Sequence, residues 1–387
     1  MLYLALTTLL ALQDASASPD VAGGAQANAA ATPAAPGDAQ PTALPKTTPT
    51  PTPARRPSPT PTPKPTGNLL VVVNKSDNSV SLIDAGTGKT RSTVAVDKGS
   101  HEAEVLADRR TLAVSGYGRT AEPGRYVTFI DVDTGKVTSR LDIGEGSRPH
   151  GLKALADGRL LVTAEGKREL VVVDPRTGKI ASRIPTGKDV SHMVAASPDG
   201  RRAYVTSLSN GVVTVIDLAA GKVVKDVATG KGAEGIDITP DGREIWVANR
   251  GANTISVIEA KTLSVVFTIS AKEFPIRVKI TPDGTRALVS FTGSGDIGIF
   301  DVATRKETKR IAIGRDAVSS TEDRVFAKRF GTSPAPVGLF IAPDGKRAWV
   351  AATHADVIGV IDLEKLRVDD AWTGGREPDG LAGRFGK

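Results

Sequence analysis

Only four histidines occur in this 387-residue chain, and three of them keep one register. Counting seven residues back from Asp108, Asp157 and Asp199 lands on His101, His150 and His192. The same count from Asp241, Asp283 and Asp344 gives Glu234, Ile276 and Val337, and Asp379, beside Pro378, takes the slot near the C-terminus. Neutral imidazoles with a carboxylate, and a position left for water, make the ligand set of an exchangeable or catalytic metal site. His101, His150 and His192 are therefore the candidate metal ligands, with a divalent transition metal as the candidate cofactor. Glu234 and Asp379 are the candidate general bases if the site catalyses a reaction. The alternative is a set of solvated imidazoles, or imidazoles bonded to carbonyls of a neighbouring element.

The elements that must position these residues are read from the turns. Asp-Gly recurs at Asp157, Asp199, Asp241, Asp283 and Asp344, with Asp108-Arg109 in the same place. Between apolar alternations Asp-Gly is a strong hairpin signal, because glycine takes positive φ at no steric cost. From Asp157 to Asp283 the turns recur every 42 residues, with longer gaps before Asp157 and Asp344. After each turn comes a β-branched strand such as Ala203–Thr206, and then a strand ending in an acid, such as Val213–Asp217. A Thr-Gly-Lys-like turn leads to a fourth strand such as Ile180–Pro185. Period-2 alternation without any sustained 3.6-residue period makes the fold all-β. Four antiparallel strands in each of seven units of about 40 residues predict a seven-bladed β-propeller over residues 68–387. The first unit begins with its second strand, and Pro378–Gly383 reads as the missing first strand. The C-terminal strand should therefore join the N-terminal blade and close the ring.

In that fold the histidine slot begins the innermost strand of each blade, so its seven residues ring one mouth of the central channel. The insertions Tyr117–Arg125 and Arg315–Pro336 emerge at the same face, as does His354, while the opposite face has only tight turns. Function on such scaffolds sits in loops held by rigid elements, which makes this face the site. Arg148 and Arg277 lie beside it as candidate ligand-binding residues, and with Lys188, Lys231 and Arg376 they also suggest a polyanion as an alternative partner. The acids ending the third strands are expected to cap turns rather than to catalyse, since Asp accepts hydrogen bonds from backbone two residues on. Tyr204, Trp246 and Trp349 are expected to pack between blades.

Tyr204-Val205-Thr206, Trp246-Val247-Ala248-Asn249 and the Val-x-Val-Ile-Asp strands resemble the YVTN-type β-propeller repeat family over residues 68–387. The resemblance implies an extracytoplasmic binding or surface protein, and it specifies fold more sharply than activity.

Composition narrows the remaining classes. The absence of cysteine excludes disulfides, thiolate metal sites, covalently attached c-type heme and thiol nucleophiles. The formal charge of +7 carries no run of like charges, and 16 aromatic residues are too few for a base-stacking platform, so nucleic acid is not an expected partner. There is no Gly-rich phosphate loop opening a helix, no His-Glu-x-x-His and no Gly-x-Ser-x-Gly. Residues 2–12 form an apolar run too short to span a bilayer, and Ala15-Ser16-Ala17 supplies a signal-peptidase pattern, although no Lys or Arg precedes Lys46. Residues 1–17 thus read as a signal peptide with a weak n-region, and 18–67 as a disordered Pro/Thr/Ala-rich stalk. The whole describes an extracytoplasmic monomer (periplasmic, cell-surface or secreted) with no transmembrane span after signal cleavage. It is expected to be a binding or scaffold propeller for a small molecule, a metal or a protein or cell-surface ligand. A metal-dependent lyase or hydrolase is the alternative.

Overall fold

The computed structural model describes residues 67–314 and 329–386. The expected signal peptide, the stalk as far as residue 66, and residues 315–328 of the second insertion lie outside the described residues. Among the described residues are seven four-stranded antiparallel sheets, and their inner strands contact one another in a closed ring. The protein is a seven-bladed β-propeller, with no α-helix among the described residues and one 3-10 turn at Glu165–Lys167. None of the described residues forms a helix long and apolar enough to cross a membrane.

Blade 1 comprises Leu69–Asn74, Ser79–Asp84 and Thr90–Ala95, with Pro378–Arg384 as its inner strand. Leu69 pairs with Arg384 and Val72 with Leu381, so the ring closes as the chain ends implied. Blades 2 to 7 begin with the inner strands Ser100–Val105, Pro149–Ala154, Ser191–Ala196, Ala233–Ile238, Pro275–Ile280 and Pro336–Ile341. Alternation along the strands buries apolar side chains between neighbouring blades. Tyr204, Trp246 and Trp349 fill those interfaces, each 2% exposed or less. The turn acids are caps: Asp84, Asp131, Asp174, Asp217 and Asp362 each accept a hydrogen bond from the backbone N–H two residues on. That is the Asx-turn geometry which makes Asp favourable there.

Two local devices aim side chains into the channel. The residue two before the slot is left-handed in all seven blades: Gly99, Arg148, Val190, Gly232, Phe274, Ala335 and Glu377, with φ between 49° and 74°. Five of these seven are not glycine, and an L-residue held there costs on the order of 1 kcal/mol or more, so the packing around it must impose the turn. The inner strand then slips register just beyond the slot, between Ser100 and Ala103, Pro149 and Leu152, Ser191 and Val194, Ala233 and Ile236, and Pro336 and Leu339. A bulge re-aims the residues it contains, here the slot residue and the one after it.

That next residue alternates in size round the ring: Gly380, Glu102, Gly151, Met193, Gly235, Arg277, Gly338. A Cβ on Gly151, Gly235, Gly338 or Gly380 would stand 1.9–2.6 Å from the slot carbonyl of the next blade. Close approach of adjacent inner strands thus requires glycine there, and the larger neighbours fill the space left in the channel.

Candidate functional site

The slot brings His101, His150 and His192 side by side at the channel mouth. The rings of His101 and His150 have centroids 4.9 Å apart, and those of His150 and His192 3.9 Å apart, tilted by 41° and 32°. Tyr117, from the hairpin insertion, sets its ring edge-on to both, at 4.7 Å from His101 and 5.4 Å from His150. At one end of the row His101 Nδ1 lies 3.2 Å from Asp379 Oδ2. At the other end His192 is clamped, with Nδ1 bonded to Glu165 and Nε2 3.3 Å from Glu234 Oε1. The Tyr117 hydroxyl donates to Glu165 Oε2 at 2.8 Å, linking the two ends. The other side of the mouth is apolar, formed by Phe274, Ile276, Val337 and Phe330.

These partners divide the three imidazoles electrically. Burial works against a charge on His192, but Glu165 and Glu234 outweigh it and raise its pKa to about 9. His101 is pulled down to about 4 by burial and by the nearby Lys75 charge, against the opposing pull of Asp379. His150 falls well below the usual histidine range through burial and then through the positive charge of His192. The row therefore holds one cation and two neutral rings, where the sequence suggested three neutral ones. Glu234 and Asp379 stay ionised. Burial would raise Glu234, but Arg250, His192 and Arg277 hold it down at about 2. Asp379 is likewise lowered by His101, Lys75 and Arg277 against its burial.

Arg277, expected to face a ligand, lies inside the channel beneath the histidines. Its Nη1 donates to Glu234 Oε1 at 3.1 Å and its Nη2 to Glu102 Oε1 at 2.5 Å. Arg250 Nη1 reaches Glu234 Oε2 at 2.7 Å. Arg148 is half-buried, with its guanidinium 5.1 Å from the Tyr117 ring centre and donating to the carbonyls of Arg119 and Thr120. A cavity of about 430 Å³ opens above His101, bounded by Lys75, Tyr117, Arg119, Arg148 and Arg376. Of the other cations named from sequence, Lys188 pairs with Asp226 at 2.9 Å and Lys231 is exposed. His354 is buried in the turn after the second strand of blade 7, where its backbone N–H donates to Pro334 O.

Sequence reasoning missed Glu165, Tyr117, Lys75 and Arg250, and one signal would have found all four. They occupy a second repeat position, the residue just after the one on the second strand that pairs with the residue before the slot. That position reads Lys75, Tyr117, Glu165, Leu208, Arg250, Thr292 and Thr353 round the ring. The site is built from two concentric repeat positions, and only the inner one had been read.

Three donor groups come within 4.8 Å of one another, those of His150, Glu165 and His192, all buried. His150 Nδ1 is buried without a hydrogen-bond partner. His101, committed to Asp379, stands outside this trio.

Residues 160–279 match the family model described as the cytochrome D1 heme domain. No curated protein sequence matches the chain. In structure the chain is similar to Kuenenia stuttgartiensis hydrazine synthase, at 20% identity and TM-score 0.61, covering 73% of this chain and 89% of that one. It is also similar to a functionally unknown protein from Desulfotomaculum acetoxidans, at 16% identity and TM-score 0.68, covering 83% of this chain and all of that one. At these identities the likeness is one of fold. The histidine row at the channel mouth does not fit a heme. An axial imidazole needs a nitrogen free to reach iron, and the macrocycle needs apolar walls. His192 is the single histidine in the matched segment, with both nitrogens facing carboxylates and its ring centre 3.9 Å from that of His150. None of the residues lining the cavity above His101 falls within 160–279, and that lining carries no aliphatic side chain. What the solved structures share with this chain is the fold.

Proposed function

We propose that the chain is an extracytoplasmic binding propeller, of the YVTN repeat type, that holds a small anionic molecule in the cavity above His101. The observation that carries this reading is the cavity's charge. Lys75, Arg119, Arg148 and Arg376 line about 430 Å³ of space against one carboxylate, Glu377, with His101 and the Tyr117 ring beside them. Guanidinium groups on a half-enclosed wall suit carboxylate or phosphate oxygens, which they meet with paired donors. A cavity of this size fits a molecule of metabolite scale rather than a polymer. The apolar leader at residues 2–12 and the Pro/Thr/Ala-rich segment 18–67 support export and a propeller held clear of a surface. Binding is favoured over catalysis because the two candidate bases, Glu234 and Asp379, are tied to arginine and histidine partners that keep them weakly basic.

Calorimetric titration of the mature protein with inorganic phosphate, sulfate and citrate tests the reading. At least one should bind with an affinity that falls as salt rises, and Arg148→Gln should weaken it tenfold or more. Equal binding by wild type and R148Q, or no binding by any of the three, would remove the support.

A further inference from the structure

The geometry points to a second, separate site. We propose that His150, His192 and Glu165 bind one divalent transition-metal ion beneath the anion cavity.

The donors come from three places that the fold fixes independently. These are the inner strand of blade 3, the 3-10 turn after the second strand of that blade, and the inner strand of blade 4. Their ligand atoms already lie within 4.8 Å of one another. Ligands at about 2.0–2.2 Å from a tetrahedral ion are separated by roughly 3.5 Å, so small side-chain rotations close the shell without moving the bulged backbone. His150 supplies the independent sign of an occupant. It is 2% exposed and its Nδ1 has no hydrogen-bond partner. A buried polar atom left unsatisfied costs about 1–3 kcal/mol, and native sites rarely carry that without a use.

The surrounding groups have the arrangement that orients metal ligands. Glu165 offers Oε1 on the Nδ1 side of His192 while Oε2 accepts from the Tyr117 hydroxyl at 2.8 Å. The far nitrogen of His192 faces Glu234, which Arg250 and Arg277 anchor in turn. A carboxylate on the distal nitrogen of a ligating histidine fixes its ring and raises its donor strength. Two imidazoles and one carboxylate favour Zn²⁺, Cu²⁺ or Co²⁺ over Mg²⁺ or Ca²⁺, and three protein ligands leave a position for water or an exogenous ligand. A small ion can take the place between His192 and Glu165 that a macrocycle cannot enter.

The test titrates the mature, chelator-treated, untagged protein with Zn²⁺, Co²⁺ and Mg²⁺ in a buffer free of phosphate and citrate. Zn²⁺ should bind at one equivalent, Co²⁺ should give the intense visible absorption of a low-coordinate site, and Mg²⁺ should not bind. His150→Gln and Glu165→Gln should each cut Zn²⁺ affinity at least tenfold and bleach the Co²⁺ spectrum, while His354→Gln should leave both unchanged. Circular dichroism confirms that each variant is folded. If a variant at either ligand fails to fold, the wild-type stoichiometry and Co²⁺ spectrum decide alone. Absence of stoichiometric Zn²⁺ in the wild type would overturn the site, as would folded H150Q and E165Q proteins that bind like wild type. Anion binding at Arg148 is measured without metal, so either site can fail while the other stands.

Discussion

Arg277 spans the channel to Glu102, with Nη2 2.5 Å from Oε1, although the two residues are 175 positions apart in sequence. They belong to blades 6 and 2, three steps apart round the ring and as far from each other as seven blades allow. The guanidinium lies across the channel floor, and through Glu234 it also braces the carboxylate that faces His192. Burial disfavours its charge, but Glu102, Glu234 and Asp379 more than restore it. Glu102 itself is raised by burial despite the pull of Arg277. One buried cation thus holds two carboxylates, Glu102 and Glu234, in place beneath the histidine row.

The first prediction follows from that asymmetry. Removing one partner of a buried ion pair leaves an uncompensated charge and costs about 3–5 kcal/mol, whereas replacing both with apolar groups is often nearly neutral. Arg277→Met should therefore destabilise by about that amount in urea unfolding, and Arg277→Met with Glu102→Leu should recover a large part of the loss. Glu234 keeps Arg250 and His192 in both variants, so recovery need not be complete. A double variant no more stable than the single one would show that the cross-channel pair is not coupled.

Gly338 is a purely steric case. Its Cβ would stand 1.9 Å from the Asp379 carbonyl oxygen, backbone that belongs to the closing strand and cannot rotate away. Gly338→Ala should cost about 3 kcal/mol, at the upper end of overpacking penalties. Gly200→Ala, in an open turn with φ 68°, should cost nearer 1 kcal/mol from backbone strain alone. Chemical denaturation of the two variants checks the order, and equal losses would mean that the inner strands can spread.

The relation between sequence and structure shows in these residues. The slot at His101, His150 and His192 was legible because the turn acids Asp108, Asp157 and Asp199 follow it at seven residues, and Asp379 because it opens the closing strand; the bulge that aims these side chains was not. Closure was legible because Pro378–Gly383 repeats the start of an inner strand. Glu165 and Tyr117 were less legible, because their repeat position holds Lys, Tyr, Glu, Leu, Arg and Thr round the ring, so only its register and no residue type marks it. The charge on His192 was hidden with them, since it depends on Glu165 lying against Nδ1. Arg277 was found but misplaced. Its neighbour Ile276 takes the slot, and the bulge carries the next residue into the channel rather than out to a ligand.

Closure gives a third prediction. The strand Pro378–Arg384 buries Leu381 and Ala382, pairs with Leu69–Val72, and carries Asp379 to His101. Deleting Glu377–Lys387 exposes the edge of blade 1 and opens the ring between blades 1 and 2. Burial of this kind is worth several kcal/mol, and in a domain of this size each one moves Tm by about 2–4 °C, so a fall of ~10 °C or more is expected. Differential scanning calorimetry decides. A truncated protein melting within about 2 °C of the full chain would contradict the structural role given to the strand.

The last prediction concerns the metal-free protein and the pH dependence of its stability. His192 has a folded pKa of about 9 against about 6.5 when unfolded, so the folded state binds its proton more tightly. That contribution, on the order of 3 kcal/mol, is fully present below pH ~6.5 and is lost as pH rises through about 9. His101 shifts the other way, to about 4, and His150 also falls well below its ordinary value. Their contributions are present above pH ~6.5 and are lost as pH falls towards 4, because the unfolded chain then takes up protons that the folded site refuses. Stability should therefore peak near neutrality and decline on both sides, with different residues responsible for each flank. His192→Gln removes the titrating group while keeping a polar amide between Glu165 and Glu234, so it should flatten the decline between pH 7 and 9 and leave the acid side in place. His101→Gln should soften the acid side alone. Urea midpoints measured across pH 4–9 with chelator present resolve the two flanks. An alkaline slope that survives unchanged in H192Q would place the charge elsewhere in the cluster.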